Sequence, residues 1–378
     1  MAATEDREYA PGTHPSLPPP TNTTGVIGWI RENLLSSPRN VLLTILSIAI
    51  LVYIVPSFLE WSIIDATWRG VTREPCNAPD GTDLEGACWT MVNARFGQFM
   101  YGFYPADQRW RVDLAFLLQF GAFLALLIDR APGKKWTALF LFVIYPFIGY
   151  ALFYGGILGL PVVETRLWGG LMLTLIIATV SITVSVPLGI LLALGRRSNL
   201  PVIRLLCITF IEFVRAVPLI TVLFMASVML PLFLPAGVNF DKLMRALVGF
   251  SLFSAAYMAE VVRGGLQAIP RGQYEGAMAM GLGYWKMMGL IVLPQALRIV
   301  IPGMVNTFIG LFKDTSLVIV IGLFDLLNIV QTATRDAQWR GLADEGYLFA
   351  ALIYFVFCFA MSRYSIYLER KLHTGHKR

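Results

Sequence analysis

The stretch LWGGLMLTLIIATVSITVSVPLGILLALG, residues 167–195, carries no charged side chain. It exceeds the about 20 apolar residues that an α-helix needs to cross the hydrocarbon core of a bilayer. Residues 40–59 form a second uncharged run of bilayer-spanning length. Neither run alternates apolar and polar residues, as the strands of a membrane β-barrel do. The two runs therefore predict membrane-spanning α-helices.

The composition of the whole chain supports the same conclusion. Of the 378 residues, 56% are hydrophobic and only 14% are charged, and the mean hydropathy is +0.65. In soluble domains about 25% of the residues are charged. We therefore predict an all-α, polytopic membrane protein with about eight transmembrane helices. The expected spans are about 40–59, 112–129, 137–155, 168–195, 202–230, 244–263, 291–312 and 346–367.

Basic side chains cluster in four segments between or after these spans, which is the pattern of cytoplasmic loops. The clusters are Arg130, Lys134 and Lys135; Arg196, Arg197 and Arg204; Arg263, Arg271 and Lys286; and Arg370, Lys371, Lys377 and Arg378. All four lie on one side of the membrane if both termini are cytoplasmic. The long loop 60–111 then faces outward.

The sequence also excludes several kinds of chemistry from the membrane core. The three histidines, His14, His373 and His376, lie in the terminal tails, so we expect no histidine metal site and no histidine general base among the spans. No GxxxxGK[ST] motif occurs, so we expect no ATP site and no other cofactor in this chain. The net charge of +6 resides in loops and tails and does not predict a nucleic-acid partner.

Two cysteines share the polar loop 60–111. If that loop faces an oxidising compartment, Cys76 and Cys88 could form a disulfide. The alternative is two free thiols.

A second kind of segment, EGAMAMGLGYWKMMGLIVLP at 275–294, interrupts the pattern of spans. We expect a short helix that begins at Glu275, and a sharp turn at the glycines Gly281 and Gly283. Pro294 lies near the expected start of the next helix, where proline is tolerated. Cationic residues bracket the segment, so it is assigned to the cytoplasmic face. An ordinary loop between two spans is the alternative.

The spacing E-G-A-x3-G-x9-I-x-L-P resembles the EAA loop of ABC importer permeases, E-A-A-x3-G-x9-I-x-L-P. Gly276 is the one departure, and glycine weakens a helix by roughly 1 kcal/mol at most relative to alanine. The resemblance implies a coupling helix that docks into a separate ATPase subunit. The residues that it assigns to coupling are Glu275, Gly276, Ala277, Gly281, Ile291, Leu293 and Pro294.

Three further stretches resemble the polar amino acid permeases of ABC importers: EFVRAVPLITVLF at 212–224, SAAYMAEVVRGGLQAIPRGQYEGA at 254–277, and LFKDTSLV at 311–318. The usual RGTP of that family reads Arg-Ala-Val-Pro at 215–218. The extra spans before residue 164 resemble the larger permease subunit of general L-amino acid importers. The resemblance implies three partners: a similar second permease, an ABC ATPase dimer that uses ATP and Mg²⁺, and a periplasmic amino-acid-binding protein.

This resemblance implies a domain organisation and a location. For residues 1–39 the sequence itself predicts a tail that is disordered, because PGTHPSLPPP at 11–20 holds five prolines, and then a short amphipathic segment at 25–38, for which a helix on the membrane surface and a plain lead-in loop are the alternatives. Accessory helices with the long periplasmic loop occupy 40–163, and a type I importer core occupies 164–368, with the cytoplasmic coupling loop at 264–290. A cytoplasmic tail, 369–378, follows. The implied location is the bacterial inner membrane, in contact with lipid.

Charges within or beside apolar runs predict a path for a polar solute, because membrane-embedded charges normally face a bundle interior or a watery cavity. Arg215, Glu260, Lys313 and Asp314 are such residues. Tyr257 precedes Glu260 by one helical turn and should lie on the same face.

An amino-acid zwitterion needs both an anion site and a cation site. We expect a half-helix that starts at Thr315 and Ser316 to hold the carboxylate, and Glu260 or Asp314 to meet the ammonium group. Structural ion pairs are the alternative, for instance Glu260 with Arg263 or Glu212 with Arg215, each at i, i+3.

Two other functions remain open from the sequence. A stand-alone secondary transporter or channel for a small polar solute would explain the charges, although not the coupling motif. A membrane enzyme would have to use carboxylates or a lysine as its catalyst, and no paired-carboxylate spacing supports one.

Overall fold

The computed structural model describes residues 25–77, 86–128, 131–157, 159–235 and 240–372. The predictions for the tail 1–24, for all three histidines, and for Arg130, Lys377 and Arg378 concern residues outside these ranges. The described chain divides into two compact units. One comprises the residues up to Trp68 together with Cys76–Ala87, and the other comprises Arg69–Pro75 and the chain from Cys88 onward.

The first unit contains helices α1 (Gly25–Asn33) and α2 (Pro38–Leu59), and a π-helical turn (Glu60–Ile64) extends α2. The side chain of Ser37 caps α2 by accepting a hydrogen bond from the backbone N–H of Asn40 at 3.3 Å. No residue of α2 is buried. A helix that is apolar on all sides suits a span surrounded by lipid.

The second unit holds the other helices that the structure describes. They are α3 (Thr90–Tyr101), α4 (Arg109–Leu127), α5 (Lys134–Leu139), α6 (Tyr145–Tyr154), α7 (Gly170–Arg196), α8 (Pro201–Ala216), α9 (Leu219–Phe224), α10 (Lys242–Ala268), α11 (Arg271–Ala279), α12 (Tyr284–Met287), α13 (Leu293–Asp314), α14 (Leu326–Thr334) and α15 (Ala343–Leu372). Helices α4 to α6, assigned from the sequence to the accessory region 40–163, belong to this unit together with the core helices.

The predicted number of spans is confirmed. Seven helices of the described chain are long and apolar enough to cross a membrane, and the pair α8 and α9 makes an eighth if it counts as one span. Helix α3 was not predicted, because its sequence is only weakly apolar and it lies within the outer loop 60–111. In the same loop, Cys76 and Cys88 are disulfide-bonded, whereas Cys207 and Cys358 are free thiols.

The predicted span 202–230 is a bent pair of helices and not one straight helix. Helices α8 and α9, the latter continued by a π-helical turn and a 3-10 turn to Phe233, meet at an angle of 107°. The bend lies at Val217 and Pro218, both of which have extended backbones. Proline lacks the N–H that would continue the helix, and it also disfavours helical geometry in the residue before it.

The prediction that a half-helix starts at Thr315 is wrong. Helix α13 runs on to Asp314 and tightens into a 3-10 helix, Thr315–Ile321, which ends at Gly322 in the left-handed region with φ 69°. A short strand, β1 (Phe324–Asp325), then forms bridges with Gly169 and Gly170. There is therefore no free helix N-terminus at Thr315 to bind a carboxylate.

Helices α7 and α10 pack closely at the centre of the second unit. A Cβ at Gly189 would lie 2.6 Å from the Cβ of Met258. Helix α10 makes a second close contact with α13, because a Cβ at Gly265 would lie 2.6 Å from the carbonyl oxygen of Ala296. Residues with real Cβ atoms could not occupy these two positions without displacing a helix.

Candidate coupling site

The segment 275–294 contains the short helix that the sequence predicts, but the helix begins earlier than Glu275. Helix α11 starts at Arg271. Pro270, directly before it, has an extended backbone with φ −58° and ψ 143°, so the chain is not helical between α10 and α11. Glu275 therefore lies in the middle of α11, where its side chain is exposed. We call α11 the coupling helix from here on.

The coupling helix ends in a Schellman motif centred on Gly281. The backbone N–H of Leu282 donates to the carbonyl of Ala277 at 3.2 Å, and that of Gly281 donates to the carbonyl of Met278 at 2.9 Å. This pair of hydrogen bonds needs a residue in the left-handed conformation after the helix, and Gly281 has φ +72°. The predicted glycine bend is therefore confirmed, and Gly281 provides it.

Apolar packing fixes the inner side of the coupling helix. Ala277 is 2% exposed and belongs to one buried cluster with Met288, Val292 and Ala296. Ile291 and Leu293 pack against the same cluster and are partly buried. The coupling helix therefore shares its core with the start of α13.

Pro294 is the second residue of α13, near the helix start as predicted, although other helical turns directly precede α13. Helix α12, a π-helical turn (Met288–Val292) and α13 follow one another without a break. Proline removes one backbone donor from a helix. The π-helical turn directly before Pro294 accommodates this loss, because its hydrogen bonds skip one residue, as in the bond from Leu293 N–H to the carbonyl of Met288.

Polar contacts tie the coupling helix to α7 and α10 as well. The Tyr274 hydroxyl donates to the carbonyl of Leu266 at 3.1 Å. Arg197, directly after α7, donates to that hydroxyl at 3.1 Å and to the same carbonyl at 3.2 Å, and its guanidinium lies 5.6 Å from the centre of the Tyr274 ring. The sequence alone predicts Arg197 only as one of the basic residues of a cytoplasmic loop.

The outer side of the segment exposes large apolar side chains. Met280 is 80% exposed, Trp285 is 72% exposed and Met278 is 57% exposed. Exposed methionine and aromatic side chains close together are typical of protein–protein contact surfaces. We call residues 275–294 the coupling segment, after the role that the sequence resemblance implies, and Met278, Met280, Tyr284 and Trp285 its apolar face.

A cluster of five charged side chains joins the ends of α7, α8 and α10. Glu260 on α10 accepts hydrogen bonds from Arg196 at 2.7 Å and from Arg263 at 2.8 Å, and Arg215 lies 3.5 Å away. Arg196 also contacts Glu212 at 2.8 Å. We call these five residues the charged cluster.

One of the two predicted ion pairs forms in this cluster, and the other does not. Glu260 pairs with Arg263 as expected, whereas the ion pairs of the described residues join Glu212 to Arg196 and Arg215 to Glu260. Arg215 also lies 5.6 Å from the centre of the Tyr257 ring, so Tyr257 and Glu260 share one side of α10. The carboxylate of Glu260 is already engaged by three arginines, which makes it a poor free site for an ammonium group.

Comparison with known proteins identifies the family. Residues 185–374 match the family described as "Binding-protein-dependent transport system inner membrane component". The chain is 56% identical to the inner membrane amino-acid ABC transporter permease protein YhdY of Escherichia coli (strain K12), over 96% of this chain and 97% of that protein. The chain belongs to this family of ABC transporter permeases.

Two further relatives of the permease carry amino acids in their names. The glutamate/glutamine/aspartate/asparagine transport system permease protein BztC of Rhodobacter capsulatus is 41% identical over 95% of this chain and 96% of that protein. The glutamate/aspartate import permease protein GltK of Escherichia coli O6:H1 is 36% identical over 53% of this chain and 91% of that protein.

The remaining predicted path residues of the permease lie away from the charged cluster. Gly303 on α13 packs beside Val261, next to Glu260, and Lys313 lies ten residues further along α13. At 1.5 Å per residue that is about 15 Å. Glu260 and the Lys313–Ser316 group are therefore not brought to one site.

Thr315 and Ser316 of the permease use their hydroxyls locally. The hydroxyl of Thr315, which is fully buried, donates to the carbonyl of Phe312 at 2.8 Å, and that of Ser316 donates to the carbonyl of Lys313 at 3.0 Å. Lys313 is exposed and Asp314 is half-buried. These hydrogen bonds stabilise the transition from α13 to the 3-10 helix Thr315–Ile321.

Sequence reasoning missed a buried polar group around Asp325. Asp325 is fully buried, caps α14 by accepting from the backbone N–H of Leu327 and Asn328, and accepts from the Tyr354 hydroxyl at 3.0 Å. Burial raises the pKa of Asp325 to about 6, although these hydrogen bonds favour the carboxylate. The signal that could have found it is the aspartate placed just before an apolar helical run, which is an N-cap pattern.

Proposed function

We propose that this permease subunit forms the path for amino acids across the bacterial inner membrane and is driven by a separate ATPase. The substrate class is supported by the names of relatives that align with nearly the whole chain. The partners proposed are an ABC ATPase dimer that holds ATP and Mg²⁺, a second, similar permease, and a periplasmic amino-acid-binding protein. Both termini and the coupling helix lie on the cytoplasmic side in this proposal, as the positions of Lys and Arg favour.

The observation that carries the coupling proposal is the construction of α11. It is a short helix with an exposed methionine, Met278, and a buried contact, Ala277, and the apolar face continues from it to Tyr284 and Trp285 on α12. It is also tied to α7, α10 and α13 at once, through Arg197, Leu266 and Val292. A push on the apolar face would therefore reach three membrane-spanning helices without first being absorbed by a loose loop.

The charged cluster supplies the second step of this mechanism. It joins the C-terminal ends of α7 and α8 to Glu260 and Arg263 of α10. Helices held together by several charge-assisted hydrogen bonds move as a group until those bonds rearrange. In this proposal, ATP binding moves the coupling helix, and the cluster determines which helices move with it.

The experiment is uptake by the reconstituted transporter. The permease, its ATPase, its second permease and its binding protein are placed in vesicles, and the accumulation of labelled glutamate, glutamine, aspartate and asparagine is measured with and without ATP. We expect uptake only with ATP and only with all subunits. Uptake by this chain alone, driven by an ion gradient, would overturn the proposal and favour a secondary transporter.

A further inference from the structure

Helix α10 packs along the bent pair α8 and α9, and charged side chains lie at both ends of this contact. A Cβ at Gly249 would lie 3.5 Å from the side chains of Leu223 on α9 and of Ala226 in the turn after it. Further along α10, the Tyr257 ring lies 5.6 Å from the guanidinium of Arg215 on α8. We call this line of contact between α10 and the bent pair the seam.

Arg245 lies at the end of the seam that is remote from the charged cluster. It is on the same side of α10 as Gly249, one turn earlier, and its guanidinium donates a hydrogen bond to the carbonyl of Ser227. Ser227 belongs to the π-helical turn Met225–Met229, which continues α9. Arg245 precedes Glu260 by 15 residues of α10, which is about 22 Å at 1.5 Å per residue.

The contacts of Arg245 leave its positive charge unbalanced. Its Nε atom is buried and has no hydrogen-bond partner, and none of the ion pairs of the described residues includes it. A neutral donor could bind the Ser227 carbonyl equally well, whereas a charge within a membrane-spanning segment is costly. The side chain is partly exposed, so a solute can reach it. Arg245 therefore has the capacity to bind an anion.

The surroundings of Arg245 suit a carboxylate that has no ammonium group beside it. Helix α10 has no acidic residue before Glu260, and the chain from Leu219 to Phe233 has no charged residue. Asp241, just before α10, already accepts hydrogen bonds from the Thr165 hydroxyl at 2.6 Å and from a backbone N–H of α10 at 2.9 Å. An ammonium group next to the bound carboxylate would find no free anion on these two elements.

The opposite end of the seam is positive as well. The charged cluster contains three arginines and two glutamates, so its net charge is +1. Positive charge at both ends concentrates anionic solutes in the seam and opposes the entry of cationic ones. The charge of the seam therefore favours a solute whose net charge is negative.

We infer that Arg245 binds the side-chain carboxylate of an acidic amino acid during transport, and that it favours glutamate and aspartate over glutamine and asparagine. A guanidinium binds a carboxylate through two parallel N–H groups, and here the Nε–H is one of them. In this structure Nε is covered, so α9 must move away from α10 before the carboxylate binds. The inference rests on the proposed function, because it requires that amino acids cross the membrane along the seam.

The test compares glutamate with glutamine, which have nearly the same size and differ in charge. Uptake by the reconstituted transporter is measured with saturating amino acid and saturating binding protein, so that the affinity of the binding protein does not set the rate. We expect Arg245→Gln to lower the glutamate rate about ten-fold and the glutamine rate less than about two-fold, because only glutamate loses a charge-assisted hydrogen bond. Arg245→Lys keeps the charge but not the paired N–H groups, so its glutamate rate should be intermediate.

Lys242→Gln is the matched control. Lys242 is exposed and lies in the same turn of α10, so its replacement removes the same charge from the same end of the helix. The ratio of the glutamate rate to the glutamine rate should stay at its natural value in this variant. An effect of the overall potential would change the ratio in both variants.

Equal loss of glutamate and glutamine uptake in Arg245→Gln would show that Arg245 only holds α9 to α10, and would overturn the inference. An equal change of the ratio in Lys242→Gln would also overturn it. A natural transporter that carries glutamine, and neither glutamate nor aspartate, would overturn the inference while the proposed function stands. The absence of any ATP-driven amino-acid uptake would contradict both.

Discussion

A side chain would have different effects at Gly276 and at Gly281, two glycines of the coupling segment. A Cβ added at Gly276 or at Gly281 would meet no atom within 4 Å, so neither position is crowded. Only Gly281 has a left-handed backbone, with φ +72°. A side chain at Gly281 would strain the Schellman motif, whereas one at Gly276 would only favour the helix.

We expect Gly281→Ala to weaken coupling. The left-handed conformation costs a residue with a Cβ about 1 kcal/mol, so the turn that ends α11 would be populated about five-fold less relative to alternatives. ATP-driven uptake by the reconstituted transporter should fall by a similar factor. The control is Gly276→Ala, which should leave uptake unchanged or raise it. Equal loss in both variants would contradict this role of Gly281.

Glu260 should be the most sensitive residue of the charged cluster, because three arginines converge on it. Replacing it by Gln leaves Arg196, Arg215 and Arg263 close together with only Glu212 to balance them. The side chain of Glu260 is 15% exposed, so its loss should cost about 2 kcal/mol, less than for a fully buried pair. Thermal unfolding of the purified permease in detergent measures this loss.

Glu212→Gln is the control for that substitution. The side chain of Glu212 is 53% exposed, and its one ion pair among the described residues is with Arg196, so its removal should cost less than about 1 kcal/mol. The ranking of the two variants would be reversed if the cluster were organised around Arg196 and Glu212.

At the scale of the helices, the lengths of the spans could be predicted from the sequence but their bends and contacts could not. The uncharged run 167–195 predicted α7 closely, because apolar length alone decides whether a helix can cross a bilayer. The bend at Pro218 does have a sequence signal, because proline disfavours helical geometry in the residue before it. Lys313 and Asp314 suggested a break where the helix in fact continues.

The candidate coupling site, like the helices, could be predicted from the sequence only in part. The short helix and the turn at Gly281 could be predicted, because a seven-position spacing marks them. The contact of Arg196 with Glu260 could not, since the two residues belong to different helices and the sequence does not state how α7 and α10 are aligned. Helix register depends on close contacts such as Gly189 with Met258, which no local pattern reveals.

Gly264 and Gly265 offer a test of the contact between α10 and α13. They are adjacent in sequence, yet a Cβ at Gly265 would lie 2.6 Å from the Ala296 carbonyl oxygen, and one at Gly264 would meet nothing within 4 Å. Gly265→Ala should therefore destabilise the permease by about 1–3 kcal/mol, as overpacking does. Gly264→Ala should be neutral or stabilising. Unfolding of both variants in detergent provides the measurement, and equal stability would contradict the packing described.

At the scale of the whole molecule, the coupling helix, the charged cluster and the buried group around Asp325 belong to different elements of the permease. The coupling helix lies outside the spans, the charged cluster joins α7, α8 and α10, and the buried group around Asp325 and Tyr354 connects β1 and α15. Along α13, Lys313 lies about 15 Å from Gly303, which packs beside Val261, the neighbour of Glu260.

The apolar face of the coupling segment should be the surface that binds the ATPase. Trp285 is 72% exposed, and buried tryptophans in interfaces often contribute 2 kcal/mol or more. Trp285→Ala should therefore weaken the permease–ATPase association about 30-fold. It should leave the thermal stability of the permease alone unchanged, because the side chain is exposed there. Trp136→Ala is a close control, since Trp136 is also 72% exposed and lies in a segment assigned to the same side of the membrane. Quantitative co-purification of the ATPase with each variant gives the answer, and equal weakening by both substitutions would show that the effect comes from the membrane surface and not from the coupling segment.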